Sequence, residues 1–430
     1  MNNKQSRVVD ASRRTFLKSS AVAAVASGVA STALGAVTPV HAAGSDELKI
    51  GIVGCGGRGS GAVIDALSAD PNCRLTAAGD VFAEVVHGSV AGLKKHPTFG
   101  SRIAVDQDHI FVGFDAYKRV IDSGVDVVLL TTTPHFRPLH LKYAVEKGKH
   151  VFAEKPVATD PAGIRSVLAS CQLAKQKGRA VVSGLCYRYH KPKQETLKRV
   201  HDGAVGQIIA LHTSYNTGGL WHRGRKPEWS EMEYQIRNWL YFTWLSGDFI
   251  CEQHVHSLDK MAWAMGDEPP VKVSSMGGRQ QRTEPKYGNV YDHFASVFTY
   301  KNGAKLFSFC RQQSGCATDV NDYVMGTKGT ADLMQAKITG EQPWKFSGSG
   351  GNMYRDEHVA LFNSIRSGQP INNGEYMAKS TMLAIMARMS AYSGKDVTWT
   401  EAMESPLDLS PAQYEWGKIS VPRVEIPGVA

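Results

Sequence analysis

The stretch that decides the fold is "LKIGIVGCGGRGSGAVIDALSADPNCRLTAAGD", residues 48–80. An apolar run reads as a strand, "GSGAVIDALSA" reads as a helix, and "CRLTAAGD" is a second strand ending on Asp80. Between strand and helix, Gly54, Gly56 and Gly59 set the pattern G-x-G-x-x-G, and Asp80 follows Gly59 by 21 residues. Glycines there let the backbone approach a pyrophosphate, which then rests on the helix N-terminus. Asp80 is placed to accept hydrogen bonds from ribose hydroxyls and to repel a 2′-phosphate, which favours NAD. Arg58 pulls the other way, because a guanidinium at this point can meet a 2′-phosphate, so NADP stays open. A lone glycine motif is only a tight turn. With strand, helix and acid in register, Gly54, Cys55, Gly56, Gly57, Arg58 and Gly59 read as a dinucleotide-binding loop.

Outward from this unit the same rhythm continues. "AEVVHGSVAGLKK" is a helix, "DAYKRVIDS" a short helix, "VDVVLLTTT" a buried strand, "PLHLKYAVEKG" a helix and "KHVFAEKP" a strand. This alternation predicts an α/β fold with an N-terminal Rossmann, doubly wound parallel sheet over residues 47–165. Beyond it, "DHFASVFTYKNGAKLFSFCRQQ" turns at Asn302-Gly303 and "NDYVMGTKGTADLMQ" at Lys328-Gly329. Helices are expected at about 354–367 and 375–393. An α+β domain with an open, largely antiparallel sheet is therefore expected over 166–400, and 401–430 is a C-terminal extension. The segment 340–353, "GEQPWKFSGSGGNM", reads as a flexible insertion.

Charge and composition narrow the classes of function. The 430 residues are 42% hydrophobic and 21% charged, ordinary for a globular enzyme of two domains. Of the net charge of +9, four units lie in the first 42 residues, and no basic run follows. Nucleic-acid binding is thus not expected. In "ASRRTFLKSS", Arg13 and Arg14 precede Phe16, Leu17 and Lys18, and a mildly apolar run leads to "TPVHAA". This resembles a twin-arginine (Tat) signal with cleavage after Ala42, which implies the Tat export machinery as a partner and the periplasm or cell envelope as destination. The run is too rich in Ser, Thr and Gly to be a good membrane span, so an uncleaved anchor is the lesser expectation. Seven scattered cysteines without C-x-x-C do not suggest a disulfide framework.

Glu154-Lys155-Pro156 ends a parallel strand, where ligands bind in such sheets. Lys155 reads either as a surface charge or as an amine beside a nicotinamide, where a cationic ring and burial would both lower its pKa. Together with the glycine motif, "TTTPHFRPLHLKYAVEKGKHVFAEKP" and "GDFICEQHVHSLDKMAWAMG" resemble the Gfo/Idh/MocA family of sugar and polyol oxidoreductases over residues 47–400. The resemblance implies a Rossmann domain and a second domain whose open sheet often forms an oligomer interface. The family's E-K-P lysine matches Lys155, and its D-x-x-x-H pair matches Glu252 and His256, with glutamate replacing the usual aspartate. It also implies that Thr132, Pro134, His135 and Glu154 contact the cofactor. Arg137 stands near where many relatives carry histidine, and it joins Arg188, Trp239 and Asp259 as candidate substrate contacts. The segment 215–247 is rich in Trp, Tyr and Arg, which suits either stacking on a sugar ring or an interface.

Glu252, His254 and His256 look at first like a metal triad. On one helix Glu252 and His256 are i and i+4 and share a face, whereas His254 lies about 200° away. Helical spacing through "SLDKMAWAMG" therefore argues against a metal site, and none is expected. His254 reads as a packing or hydrogen-bonded residue. His256 reads as a general base oriented by Glu252, with Lys155 sharing the proton; its bland alternative is a satisfied core histidine. The expected chemistry is hydride transfer between a sugar or polyol carbon and NAD. Export sharpens this, because a dinucleotide outside the cytoplasm must be carried along and regenerated within each cycle. Two further classes stay open: a glycoside-cleaving enzyme that uses NAD transiently, and a non-catalytic sugar binder. The second has no need of Lys155, Glu252 and His256 together.

Overall fold

The computed structural model describes residues 46–429. The expected signal segment, residues 1–42, lies outside them. The first layer builds as the sequence suggests. β1 (Leu48–Val53), α1 (Gly57–Ala69), β2 (Cys73–Asp80), α2 (Ala83–Lys94), β3 (Ile110–Val112) and α3 (Ala116–Asp122) form one half. β4 (Val127–Leu130), α4 (Arg137–Glu146), β5 (His150–Ala153), α5 (Pro161–Gln176) and β6 (Val181–Ser183) form the other. The six strands are parallel in the order β3-β2-β1-β4-β5-β6. Residues in β1, β4, β5 and β6 are almost all buried, because helices cover both faces of the sheet. β6 belongs to this sheet, so the domain boundary falls after Ser183 rather than at residue 165. A strand of only three residues, two valines and a serine, carries no mark of which sheet it will join.

The second layer comprises α6 (Lys191–His201), β7 (Ile208–Thr217), α7 (Glu231–Arg237), α8 (Thr243–Ser246), α9 (Phe249–Glu252), α10 (Val255–Ala264), β8 (Lys272–Gly278), β9 (His293–Thr299), β10 (Lys305–Gln312), β11 (Asp319–Gly326), β12 (Gly329–Asp332), β13 (Lys337–Gly340) and β14 (Trp344–Lys345). α11 (Met353–Arg366), α12 (Gly374–Ser393), β15 (Val397–Thr398) and α13 (Trp399–Glu404) follow among the described residues. Nine strands form one mixed sheet in the order β14-β13-β12-β11-β7-β10-β9-β8-β15. Only β7 and β10 pair in parallel. Strict alternation in β9 and β10 buries Phe294, Phe298, Leu306 and Cys310 on one face and turns Phe307 and Phe309 outward. α10 and α12 cover the inner face. Part of the segment expected as a flexible insertion is ordered here, since Trp344–Lys345 extends the sheet edge. α11 leaves this domain and packs on α1, so the two domains interlace. Residues 405–429 run as an extended strap without helix or strand.

Candidate active site

At the end of β1 the chain turns sharply under steric control. Gly54 has φ +94°, and a Cβ there would meet the Thr132 backbone; a Cβ on Gly59 would collide with the Gly54 carbonyl oxygen. Gly56 and Gly57 instead face open space, and no side chain caps α1. The first N–H groups of that helix are thus left for an anion. Asp80 ends β2 with Oδ2 accepting from Cys55 N (2.7 Å) and Oδ1 from Phe82 N (3.0 Å). Burial raises its pKa despite those bonds. Loop, acid and the β4 terminus line one cavity of about 420 Å³, at the switch point between β1 and β4. The pieces fit a dinucleotide: a backbone cradle for its phosphates and a fixed carboxylate for a ribose.

Beyond the loop, Arg58 reaches toward the end of β5. Its guanidinium bonds Glu154, Glu357 (3.1 Å) and Asp65 (3.2 Å). Glu154 packs against Gly184, where any Cβ would press on the carboxylate, and its Oε2 accepts from Lys155 N (3.0 Å). Lys155 Nζ then donates to the Glu252 main-chain oxygen (2.5 Å) and lies 3.4 Å from its carboxylate. His256 stands edge-on to Tyr187 with ring centroids 5.4 Å apart. Its Nδ1 has no hydrogen-bond partner among the described residues. Burial, then the charges of Lys155, Lys260 and Arg58, hold its pKa well below the ordinary value. The imidazole is therefore held neutral, with an unbonded ring nitrogen available to accept a hydrogen bond.

The residues 48–185 match the family model described as "Oxidoreductase family, NAD-binding Rossmann fold", and 194–332 match "GFO/IDH/MocA C-terminal domain". The chain belongs to the Gfo/Idh/MocA family. Its first domain is accordingly an NAD-binding Rossmann domain. Among family relatives, it is 26% identical over 219 residues to 2,7-anhydro-N-acetylneuraminate hydratase of Escherichia coli, covering 50% of this chain and 53% of that one. It is 28% identical over 297 residues to a glycosyl hydrolase family 109 protein of Saccharopolyspora erythraea, covering 64% and 60%. The chain thus spans little more than half the length of these curated relatives. Aldose-aldose oxidoreductase from Caulobacter crescentus shares the fold, with a TM-score of 0.64 and 22% identity over 82% of this chain and 99% of that structure.

Within this Gfo/Idh/MocA framework several sequence candidates sit elsewhere than expected. Arg58 lines the cavity as expected, but Glu154, Glu357 and Asp65 engage its guanidinium, which turns that charge toward carboxylates rather than a 2′-phosphate. Arg137 is buried and donates to the carbonyls of Thr132 (2.6 Å), Pro156 (2.9 Å) and Lys155 (3.2 Å). It clamps the β4 and β5 loops together and offers nothing to a substrate. Arg188 and Asp259 pair with each other (2.8 Å), and Asp267 takes the remaining guanidinium nitrogen. Pairing satisfies both buried charges, so neither is free for a sugar. Pro134 and His135 are buried outside the cavity lining, His135 bonding the Tyr414 hydroxyl (2.7 Å). Thr132 does line the cavity, and so does Trp239, alongside the dinucleotide loop.

The expected single helix is also interrupted. α9 stops at Glu252 and α10 begins at Val255 with His254 as its N-cap. His254 N bonds Phe249 O (3.1 Å), one residue further back than α-helix geometry allows, which widens the turn. Its ring is pinned to Ser308 Oγ (2.7 Å), and Gln253 is held by Gln312. Glu252 therefore serves Lys155, and no hydrogen bond joins it to His256 among the described residues. Sequence reasoning missed Phe82, Phe114 and Phe136, which line the dinucleotide cavity, and Tyr187 beside His256. Phe82 lay within reach, as it follows Asp80 by two positions.

Proposed function

We propose that this chain is an exported, NAD-dependent oxidoreductase acting on a hydroxyl-bearing carbon of a sugar or polyol. The observation that carries the reading is the meeting of Lys155, Glu252 and neutral His256 where β5 ends beside the dinucleotide loop. When bound, NAD supplies the hydride acceptor and donor. His256 takes the proton from the substrate hydroxyl, Lys155 holds the same oxygen, and Glu252 fixes the ammonium. Asp80 favours NAD over NADP. The Arg13–Arg14 motif supports Tat export to the periplasm or envelope, where a retained dinucleotide must cycle between oxidation and reduction. The apolar outer face of the second sheet supports a homo-oligomer.

The test is the absorbance of the purified protein before and after candidate sugars are added. Bound dinucleotide should be present at the start, and the reduced-nicotinamide band should grow or bleach with the right sugar. His256→Ala should abolish that change while the dinucleotide stays bound. Normal bleaching in this variant would remove His256 from the reaction. The likeness to a glycosyl hydrolase family 109 protein favours a second reading, transient oxidation that cleaves a glycoside. Product analysis separates the two: a keto sugar or sugar acid in the first, a released aglycone and unchanged dinucleotide in the second.

A further inference from the structure

The dinucleotide cleft has an outer wall that the Rossmann domain does not supply. Trp221, Arg223, Ile236, Arg237 and Trp239, from the loop after β7 and around α7, line the same cavity as Gly54–Gly59 and Asp80. Arg237 is the hinge of this wall. Its guanidinium lies 3.8 Å from the Phe82 ring centroid, 2.8 Å from Glu84 in α2, and 2.8 Å from Glu233 on its own helix. One side chain thus ties α7 to the Rossmann domain, two residues past the ribose-binding Asp80–Phe82 turn.

The C-terminal strap then fastens α7 from outside. Met232 N donates to Gly417 O (3.1 Å) and Gln235 Nε2 to Ser420 O (3.3 Å). Just before these ties, Trp416 stacks on Phe82 with centroids 5.6 Å apart and packs on Phe114 at 4.8 Å. Tyr414 packs on Phe136 at 5.4 Å and bonds His135. Phe82, Phe114 and Phe136 all line the cavity from within, while Tyr414 and Trp416 stand outside it. The strap itself has no helix or strand, so these scattered main-chain bonds and ring contacts are what hold it.

We infer that α7 and the strap form a clasp that retains the dinucleotide, with Arg237 and Trp416 gripping Phe82. This rests on the reading that the cofactor stays bound through the cycle. Release requires the Phe82 wall to move, and a guanidinium and an indole packed on the ring both oppose that motion. Trp416 and Tyr414 do not line the cavity and meet it only through Phe82, Phe114 and Phe136, so their effect on release reports closure rather than contact with the dinucleotide.

The experiment measures the bound dinucleotide of the purified full chain, Trp416→Ala, Tyr414→Ala and Arg237→Ala by native mass spectrometry. It also measures the NADH release rate by nicotinamide fluorescence after mixing with excess NAD. Slow release in the full chain and release about tenfold faster or more in Trp416→Ala and Arg237→Ala is expected. Equally slow release in the variants overturns the clasp and leaves cofactor retention standing. Fast release from the full chain overturns retention itself and the clasp with it. Thermal melting shows which variants fold, and Tyr414→Ala carries the test if Trp416→Ala does not.

Discussion

His256 owes its chemistry to where it sits. An ordinary imidazole titrates near pH 6.5 and loses its value as a base below that. Burial, followed by Lys155, Lys260 and Arg58, pushes the His256 pKa far lower. The single-turnover rate of nicotinamide reduction in the loaded protein should therefore stay level from pH 8 to about pH 5.5, through the range where a free histidine titrates. A fall with a midpoint near 6.5 would show that His256 is not the base or is not so placed. The same depression carries a sign for stability. A folded pKa below the unfolded one contributes stability that is present above the unfolded value and lost as pH falls through the folded value. Burial likewise lowers His135 to about 4 and His254 to about 3, so their protonation also works against the fold as pH falls.

α9 is four residues long, too short to hold its own shape, yet it presents Glu252. Its start explains how. Asp248 adopts φ +67° and ψ 164°, a conformation kept for glycine, and its buried carboxylate accepts from Phe249 N (2.6 Å), Tyr291 N (2.8 Å) and the Tyr392 hydroxyl (2.6 Å). Those three bonds offset the backbone strain. Asp248→Ala keeps the strain and orphans three donors, each costing about 1–3 kcal/mol, while Asp248→Gly orphans them but relieves the strain. Melting temperatures should fall in the order wild type, Gly, Ala, and an Ala variant at or above Gly would refute the account. The element scale also shows what the sequence could reveal. The glycine loop and Asp80 were legible because each step from Gly54 to Gly59 is local. The break between α9 and α10 was not, because Ser308 and Gln312, more than fifty residues away, impose it. Arg188 failed for the same reason: its type suits a sugar, but Asp259 and Asp267 claim it.

Across the whole molecule, the nine-stranded sheet leaves one face without a covering layer. Met276 is 72% exposed and Phe307 and Phe309 are each 37% exposed, and the β8, β9 and β10 registers bring them together on that face. His212 and Tyr323 continue the patch across β7 and β11. The sheet's edges cannot serve as the contact, since β14 and β15 have only two residues each and make poor templates for another strand. The proposed homo-oligomer would use the face, where outward aromatic and sulfur-bearing side chains lose water on contact. Phe307→Glu with Phe309→Glu places two like charges in that patch without touching the buried alternate residues. Sedimentation should show an oligomer for the wild-type chain and a monomer for the double variant, with the dinucleotide still bound in both. A wild-type monomer would leave the face without a partner copy. An oligomer that survives both charges would move the contact elsewhere on the surface.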